Sequence, residues 1–341
     1  MKIKPTFYFV FLFPIFFQTM AYYGYESSYY PYKTQIAPTE WYYKGIYQYR
    51  FLSRDAVDMI TAFLKNIMTY DGLPLKAYIQ KKGTSYYHAL FLYNTFFAVL
   101  VSWMFNLILK NKTFFPDFDV KKRIVIVLIM TLISAFSQYV IVHYDNAAIF
   151  LLLCGFYFSF QYFHSNYALK WAFLLNGIIL ISTLNRETSC LNISFLGSLL
   201  LFNAPLNKEN IFNAIKKLFV PVCSFILPYL ILRLILPQQK GDDYYFFESF
   251  TLWSNLTGIN QIVGWLYALV FIRFIYFFIP TINNRKLANY FLVLSLPYIM
   301  MICLVGILWE TRLFIPLFYG LVVLAFFNFK TKTDLLAERT L

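Results

Sequence analysis

The residues able to do chemistry in this chain are few, because only 13% of its 341 residues are charged, about half the share in a soluble domain. Four groups of them sit at the edges of apolar runs. They are Tyr49-Arg50-Phe51-Leu52 followed by Arg54, Asp55 and Asp58; His143-Tyr144-Asp145-Asn146; Asn185-Arg186-Glu187-Thr188; and Trp309-Glu310-Thr311-Arg312. A guanidinium presents a rigid fork that binds phosphate through two parallel hydrogen bonds. A carboxylate near such a fork can take a proton from an attacking hydroxyl or help hold a divalent cation. Arg50, Arg186 and Arg312 are therefore candidate phosphate ligands. Asp55, Asp58, Asp145 and Glu187 are candidate catalytic carboxylates, supported by His143, Asn185 and Glu310. Asp145 and His143 could together hold Mg2+ or Mn2+. Plainer readings stand beside these: Arg186 with Glu187 and Glu310 with Arg312 as neutralising ion pairs, His143 to Asp145 as a polar turn, and Asp55 and Asp58 as the wet face of a surface helix.

The elements that must position these groups are membrane-spanning helices. With 60% of residues hydrophobic, a soluble fold is excluded. A helix needs about 17 to 25 mainly apolar residues to cross a ~30 Å hydrocarbon core. In lipid, only helices and closed barrels satisfy their own backbone hydrogen bonds. The apolar runs are continuous rather than alternating, which predicts helices near 5–22, 87–109, 123–143, 146–164, 170–184, 189–204, 216–236, 261–280, 288–308 and 312–329. The expected fold is an all-α polytopic helical bundle of about ten transmembrane helices, forming one domain over 1–341. Runs 170–184 and 189–204 are short, and a tight hairpin at 185–188 is preferred over one broken span. With 40 Phe and 29 Tyr, many spanning residues are expected to be bulky and lipid-facing. Cys154, Cys190, Cys223 and Cys303 lie in apolar runs without metal-ligand spacing and read as buried thiols.

Lys and Arg collect in cytoplasmic loops, and that bias orients the bundle. With both termini inside, the cytoplasmic face receives Lys2, Lys4, Lys110, Lys112, Lys121, Lys122, Arg123, Lys170, Lys208, Lys216, Lys217, Arg273, Arg285, Lys286, Lys330, Lys332 and Arg339. The short outer connections hold only Arg186, Arg233, Lys240 and Arg312. Most of the net charge of +13 is thus topology information and no nucleic-acid partner is expected. Reading residues 1–21 as a cleaved signal peptide leaves nine spans and moves no later loop.

This orientation places all four polar groups on the outer side, where they suggest one cavity floored by span ends. Two outer segments are long, about 21–86 and 237–260. In the first, Phe51, Leu52, Ala56, Met59, Ile60, Phe63, Leu64 and Ile67 recur at three- and four-residue steps, which predicts an interfacial amphipathic helix with Ser53 as N-cap. The second carries Asp242, Asp243, Tyr244, Tyr245, Glu248 and Trp253.

The long first outer loop with its amphipathic helix, Arg50-Phe51-Leu52, the Tyr144-Asp145 turn, the Asn185-Arg186-Glu187-Thr188 turn and the Glu310-Thr311-Arg312-Leu313-Phe314-Ile315-Pro316 start of the last span together resemble bacterial membrane glycosyltransferases of the GT-C type. The resemblance covers most of the chain in layout, through short motifs of moderate specificity. It implies a polyprenyl-phosphate-linked sugar donor, a first-loop acid as base or metal ligand (Asp55 or Asp58), and a second acidic or His residue from the next outer loop (His143 or Asp145). The best-known members carry an adjacent acidic pair soon after the first span, where this chain has the separated Glu26 and Glu40. The expected function is transfer of a sugar from a polyprenyl-phosphate donor to a glycan or lipid acceptor on the outer side of the bacterial inner membrane. A surface-polysaccharide polymerase and a lipid or glycan transporter are the rival readings. A transporter of this size is expected to show inverted repeats and midplane charges, and the sequence has neither.

Overall fold

The structure is a computed structural model that describes residues 5–24, 32–38, 43, 45–72, 74–116, 118–138, 141–203, 205–236 and 251–328. Glu26, Glu40, the acidic stretch from Asp242 to Glu248, Lys240 and the terminal basic residues lie outside the described residues. Among those described, the chain is helical, with no strand. The elements are α1 (5–24, largely π-helical at Tyr8–Leu12 and Met20–Gly24), α2 (Phe51–Thr69), α3 (Lys76–Lys82), α4 (Ser85–Lys110), α5 (Val120–Phe136), α6 (Asp145–His164) and α7 (Leu169–Asn185). They continue with α8 (Cys190–Phe202), α9 (Lys208–Ile235), α10 (Leu252–Thr257), α11 (Ile259–Phe278), α12 (Ile282–Leu294), α13 (Leu296–Val305) and α14 (Ile315–Ala325).

Local chemistry accounts for several boundaries. Side-chain oxygens of Thr84, Asn207 and Thr281 accept from the backbone N–H groups of Tyr87, Asn210 and Asn284, so α4, α9 and α12 each begin on a capping residue. Ser53 is not the cap expected for α2. That helix starts two residues earlier, at Phe51, and the buried Ser53 hydroxyl is spent on tertiary bonds instead. α2 is amphipathic, with Ser53 and Val57 buried against the bundle, but Met59 and Phe63 point away and are exposed.

Contacts between helix ends fix the direction of each helix. At one end, Phe114 packs on Phe160, His164 and Phe327, Asn284 Nδ2 donates to the carbonyls of Leu324 and Phe327, and Lys217 lies over the Tyr167 ring. The tails of α4, α6 and α14 and the heads of α9 and α12 therefore meet there. At the other end, the head of α4 meets the tails of α1 and α7 through Tyr22, Tyr93, Ser53 and Asn185. Arg233, at the tail of α9, approaches Glu187 at the head of α8, so α7 and α8 form the expected hairpin. Four described helices, α4, α6, α9 and α11, are long and apolar enough to cross a membrane, and five spans result if α12 and α13, bent by 47°, count as one. Of the other helices, α7, the Glu187–Phe202 stretch and α14 are apolar but span fewer than 18 residues.

α14 is the axis of the bundle, since every one of its residues is buried. Around it the aromatics turn inward: Phe156 stacks on Phe195 at 4.0 Å, Phe160 on Phe327 at 4.8 Å and Phe271 on Phe318 at 4.1 Å. Beside the many exposed aromatics that the sequence leads one to expect, this set packs inside the bundle. Fully buried rings fill gaps that smaller side chains would leave as voids, while exposed rings such as Phe173 and Phe277 belong to the periphery. No disulfide forms, and all four cysteines are free.

Candidate functional site

The end where Tyr22, Tyr93 and Asn185 meet also gathers the charges. Asp145 is the first residue of α6, where the positive end of the helix dipole favours a carboxylate. Its Oδ1 accepts from Arg186 Nη1 and its Oδ2 from Arg312 Nη1 at 2.7 Å. Arg312, in the Thr311–Leu313 turn that leads into α14, also donates from Nη2 to Glu310 Oε2 at 2.6 Å. Arg50, just ahead of α2, donates to Glu187 Oε2 at 2.9 Å, and Arg233 approaches the other Glu187 oxygen at 3.7 Å. Aromatic faces complete the cluster. Tyr144 lies beneath the guanidinium groups of both Arg50, at 4.4 Å, and Arg186, at 5.3 Å. Tyr229 and Tyr49 flank Arg233 at 3.5 and 4.4 Å. Cations over such rings gain ~0.5 to 2 kcal/mol each, the more so when desolvated.

Burial makes this network strongly conditional. The side chains of Asp145, Arg186 and Arg312 are only 3%, 5% and 6% exposed, and an ion removed from water costs several kcal/mol unless it is paired. Burial alone would raise the Glu187 carboxyl, but Arg50, a backbone hydrogen bond, Arg233 and Arg186 outweigh it and hold the group below its ordinary value. Burial likewise opposes the charge on Arg50 and Arg312, and their carboxylate partners overcome it, so both are held more firmly protonated than a free arginine. The same field acts on His143, whose imidazole is pushed down to about 3 by burial and by Arg50 and Arg54, against Asp145. His143 is therefore neutral near pH 7.

Asn185 ties the frame. Its Oδ1 accepts from Ser53 Oγ, which itself accepts from Tyr93 Oη at 2.7 Å, and its Nδ2 donates to the Tyr144 carbonyl at 3.2 Å. One buried amide thereby connects α2, α4, α6 and α7 behind the arginines. A second layer lies beside it: Asn94 Nδ2 donates to Tyr22 Oη at 2.7 Å and to the Val142 carbonyl at 3.0 Å, and Gln138 Nε2 donates to Asn146 Oδ1 at 2.8 Å.

Of the sequence-derived candidates, Arg50, Asp145, Asn185, Arg186, Glu187, Glu310 and Arg312 converge, and His143 borders them. Asp55 and Asp58 stand apart. Asp55 is exposed and paired with Arg54 at 2.9 Å. Asp58 accepts from the Tyr43 hydroxyl at 3.1 Å and lies eight residues along α2 from Arg50, about 12 Å by helical rise. Burial is the main cause that lifts the Asp58 carboxyl above its ordinary value, against the Tyr43 hydrogen bond and Arg54. Tyr43 and Tyr86 lie near Asp58, and Tyr32 lies near both Tyr86 and the Arg312–Glu310 pair.

A divalent cation does not fit the proposed Asp145 and His143 pair. Both Asp145 oxygens are occupied by guanidinium groups, and Arg50 and Arg54 bear on His143. Among the described residues, no group of three or more His, Cys, Asp or Glu is disposed to hold a metal. The arrangement suits an anion instead. Among the described residues, four arginines meet three carboxylates, which leaves one positive charge in excess, and the Nε–H groups of Arg50 and Arg312 are buried without a partner. Such donors gain most from an acceptor that enters without water.

Sequence reading passed over Arg233, Tyr144 and Tyr47 as site residues. Arg233 carried a usable signal, as one of very few basic residues in the outer connections. The ring stacking of Tyr144 and Tyr47 on Arg50 had none, because tyrosine is abundant along the whole chain. No family model, curated protein or solved structure matches this chain.

Proposed function

We propose that this protein is a membrane glycosyltransferase that takes a sugar from a polyprenyl-phosphate donor and passes it to a glycan or lipid acceptor on the outer side of the inner membrane. The observation that carries this reading is the buried arginine cluster, with one positive charge in excess among the described residues, at the end of a helical bundle, where a phosphate tethered to a lipid tail would arrive. The opposite end holds Lys110, Lys112, Lys121, Lys122, Lys170, Lys208, Lys216, Arg285 and Lys286, which supports an outward-facing cluster and cytoplasmic termini.

In this reading Asp145, Glu187 and Glu310 hold the arginines in place, and the donor phosphate binds at Arg50, Arg186 and Arg312. The acceptor hydroxyl attacks the anomeric carbon as Asp58 takes its proton. The bond from that carbon to the phosphate oxygen breaks, and the phosphate leaves with the electron pair under stabilisation by the guanidinium groups. Asp58 suits the base role better than Glu187 because its pKa is raised rather than lowered, and better than Asp145 because no arginine locks both its oxygens. Mass spectrometry of surface glycans and lipid-linked sugars from a deletion strain tests the proposal. A truncated glycan with accumulated donor is expected, and an unchanged profile opposes it.

A further inference from the structure

The end of the bundle remote from the arginines contains a cavity of about 780 Å³, within the ~300 to 1,000 Å³ range of small-ligand pockets. It lies between α5, α11, the head of α12 and the tail of α14. Its walls are mainly apolar, formed by Phe118, Val125, Ile126, Phe278 and Phe326, and Lys121 and Lys122 stand on one side. The two lysines are exposed and open α5, followed one turn later by the wall residues Val125 and Ile126. This gives the cavity a polar rim and an apolar depth.

Two features make it a built space rather than a packing defect. Its floor is pinned, because Asn284 Nδ2 donates to the carbonyls of Leu324 at 2.9 Å and Phe327 at 2.6 Å, and Asn328 N donates to the Phe114 carbonyl at 2.9 Å. It also opens sideways, because Val125 is 52% and Phe278 50% exposed on the apolar flank of the bundle, where acyl chains would surround it.

We propose that this cavity binds one anionic phospholipid, with the phosphodiester headgroup at Lys121 and Lys122 and an acyl chain along Phe118, Val125, Ile126 and Phe278. The argument is charge and polarity complementarity. Neither lysine has an ion-pair partner among the described residues, and the neighbouring Arg285 and Lys286 on α12 add positive charge while none of the described residues that line the space is acidic. Basic pockets between membrane helices recognise anionic headgroups in this way. A free phosphate would satisfy the lysines and leave the apolar depth empty, so the lipid is the occupant that uses both.

Native mass spectrometry of the full chain, titrated with phosphatidylglycerol or phosphatidylcholine in detergent, tests this. The wild-type protein is expected to retain one phosphatidylglycerol with roughly 30-fold preference, the magnitude that two lysines near an anionic headgroup supply. K121Q/K122Q is expected to abolish the preference, and K208Q/K216Q, exposed lysines of the same end outside the cavity, to leave it intact. Millimolar inorganic phosphate should not displace the lipid. Equal retention of the two lipids, equal losses in both double variants, or displacement by phosphate overturns the proposal. So does a gain of phosphatidylglycerol affinity on removal of residues 329–341, which would identify that segment as the occupant.

Discussion

Asp145 carries more of the arrangement than any other residue, because each of its oxygens neutralises a different buried guanidinium. Asp145→Asn keeps the shape and removes the charge, which takes from Arg186 its direct ion pair and leaves Arg312 with Glu310 alone among the described residues. Breaking a buried pair in this way costs ~3 to 5 kcal/mol, so a large drop in the thermal midpoint of the detergent-solubilised protein is expected. Asp55→Asn, at an exposed pair, should shift it little. The pH dependence follows from Glu187 and His143. The lowered Glu187 pKa stabilises the fold above its ordinary value of 4.5, and that contribution is lost as the pH falls through the folded value. His143 is held neutral to about 3 against an ordinary 6.5, so between those values the unfolded chain gains a proton that the folded one refuses. Both effects weaken the protein in acid. His143→Gln should flatten the decline of the midpoint between pH 6.5 and 3, and an unchanged slope would contradict the burial of a neutral imidazole. At this scale the sequence was informative about which charges matter, since a charge at a span end is rare and costly. It was silent on partners. One reading paired Arg186 with its neighbour Glu187, yet its direct ion pair is with Asp145, 41 residues away, because an extended residue between two helices projects across the bundle rather than along the chain.

Among the elements, α11 and the turn before α14 show how closely backbone packing supports the cluster. Gly264 on α11 faces the backbone of Leu308 and Trp309, and a Cβ there would lie 1.9 Å from the Leu308 carbonyl oxygen. A backbone atom cannot rotate away, so Gly264→Ala must separate α11 from the segment that carries Glu310 and Arg312, at a cost of ~1 to 3 kcal/mol. Gly177 on α7 has nothing within 4 Å of the same position. There alanine should be neutral or add up to ~1 kcal/mol through helix propensity. Thermal midpoints of the two variants give the comparison, and equal effects would contradict the close approach of α11. Periodicity revealed α2 and its amphipathic face, but not which stripe faces the bundle. Ser53 reads as a cap from its neighbours in sequence, whereas tertiary bonds to Tyr93 and Asn185 claim its hydroxyl. The break between α12 and α13 at Ser295 was equally hidden, because an apolar run has the same composition whether straight or bent.

Taken whole, the molecule separates its charges into two populations at opposite ends. The all-helical character was legible from the apolar runs alone, since hydrocarbon leaves the chain few other choices. The inward turn of the aromatics around α14 was not, because hydropathy does not distinguish a ring against lipid from one against protein. In the proposed reading the basic end sets orientation and the arginine end sets function, and the proposal depends on the second. Its most direct test is sugar transfer in proteoliposomes that hold the purified full chain, a polyprenyl-phosphate-linked sugar and an acceptor extract, with Asp58→Asn and Arg312→Lys beside the wild type. Transfer by the wild type is predicted, with a loss of about 10²-fold or more in Asp58→Asn, the scale of general-base catalysis, and a comparable loss in Arg312→Lys, which keeps the charge but not the fork. Wild-type rates in both variants, or no transfer by the wild type from any polyprenyl-phosphate sugar, would contradict it.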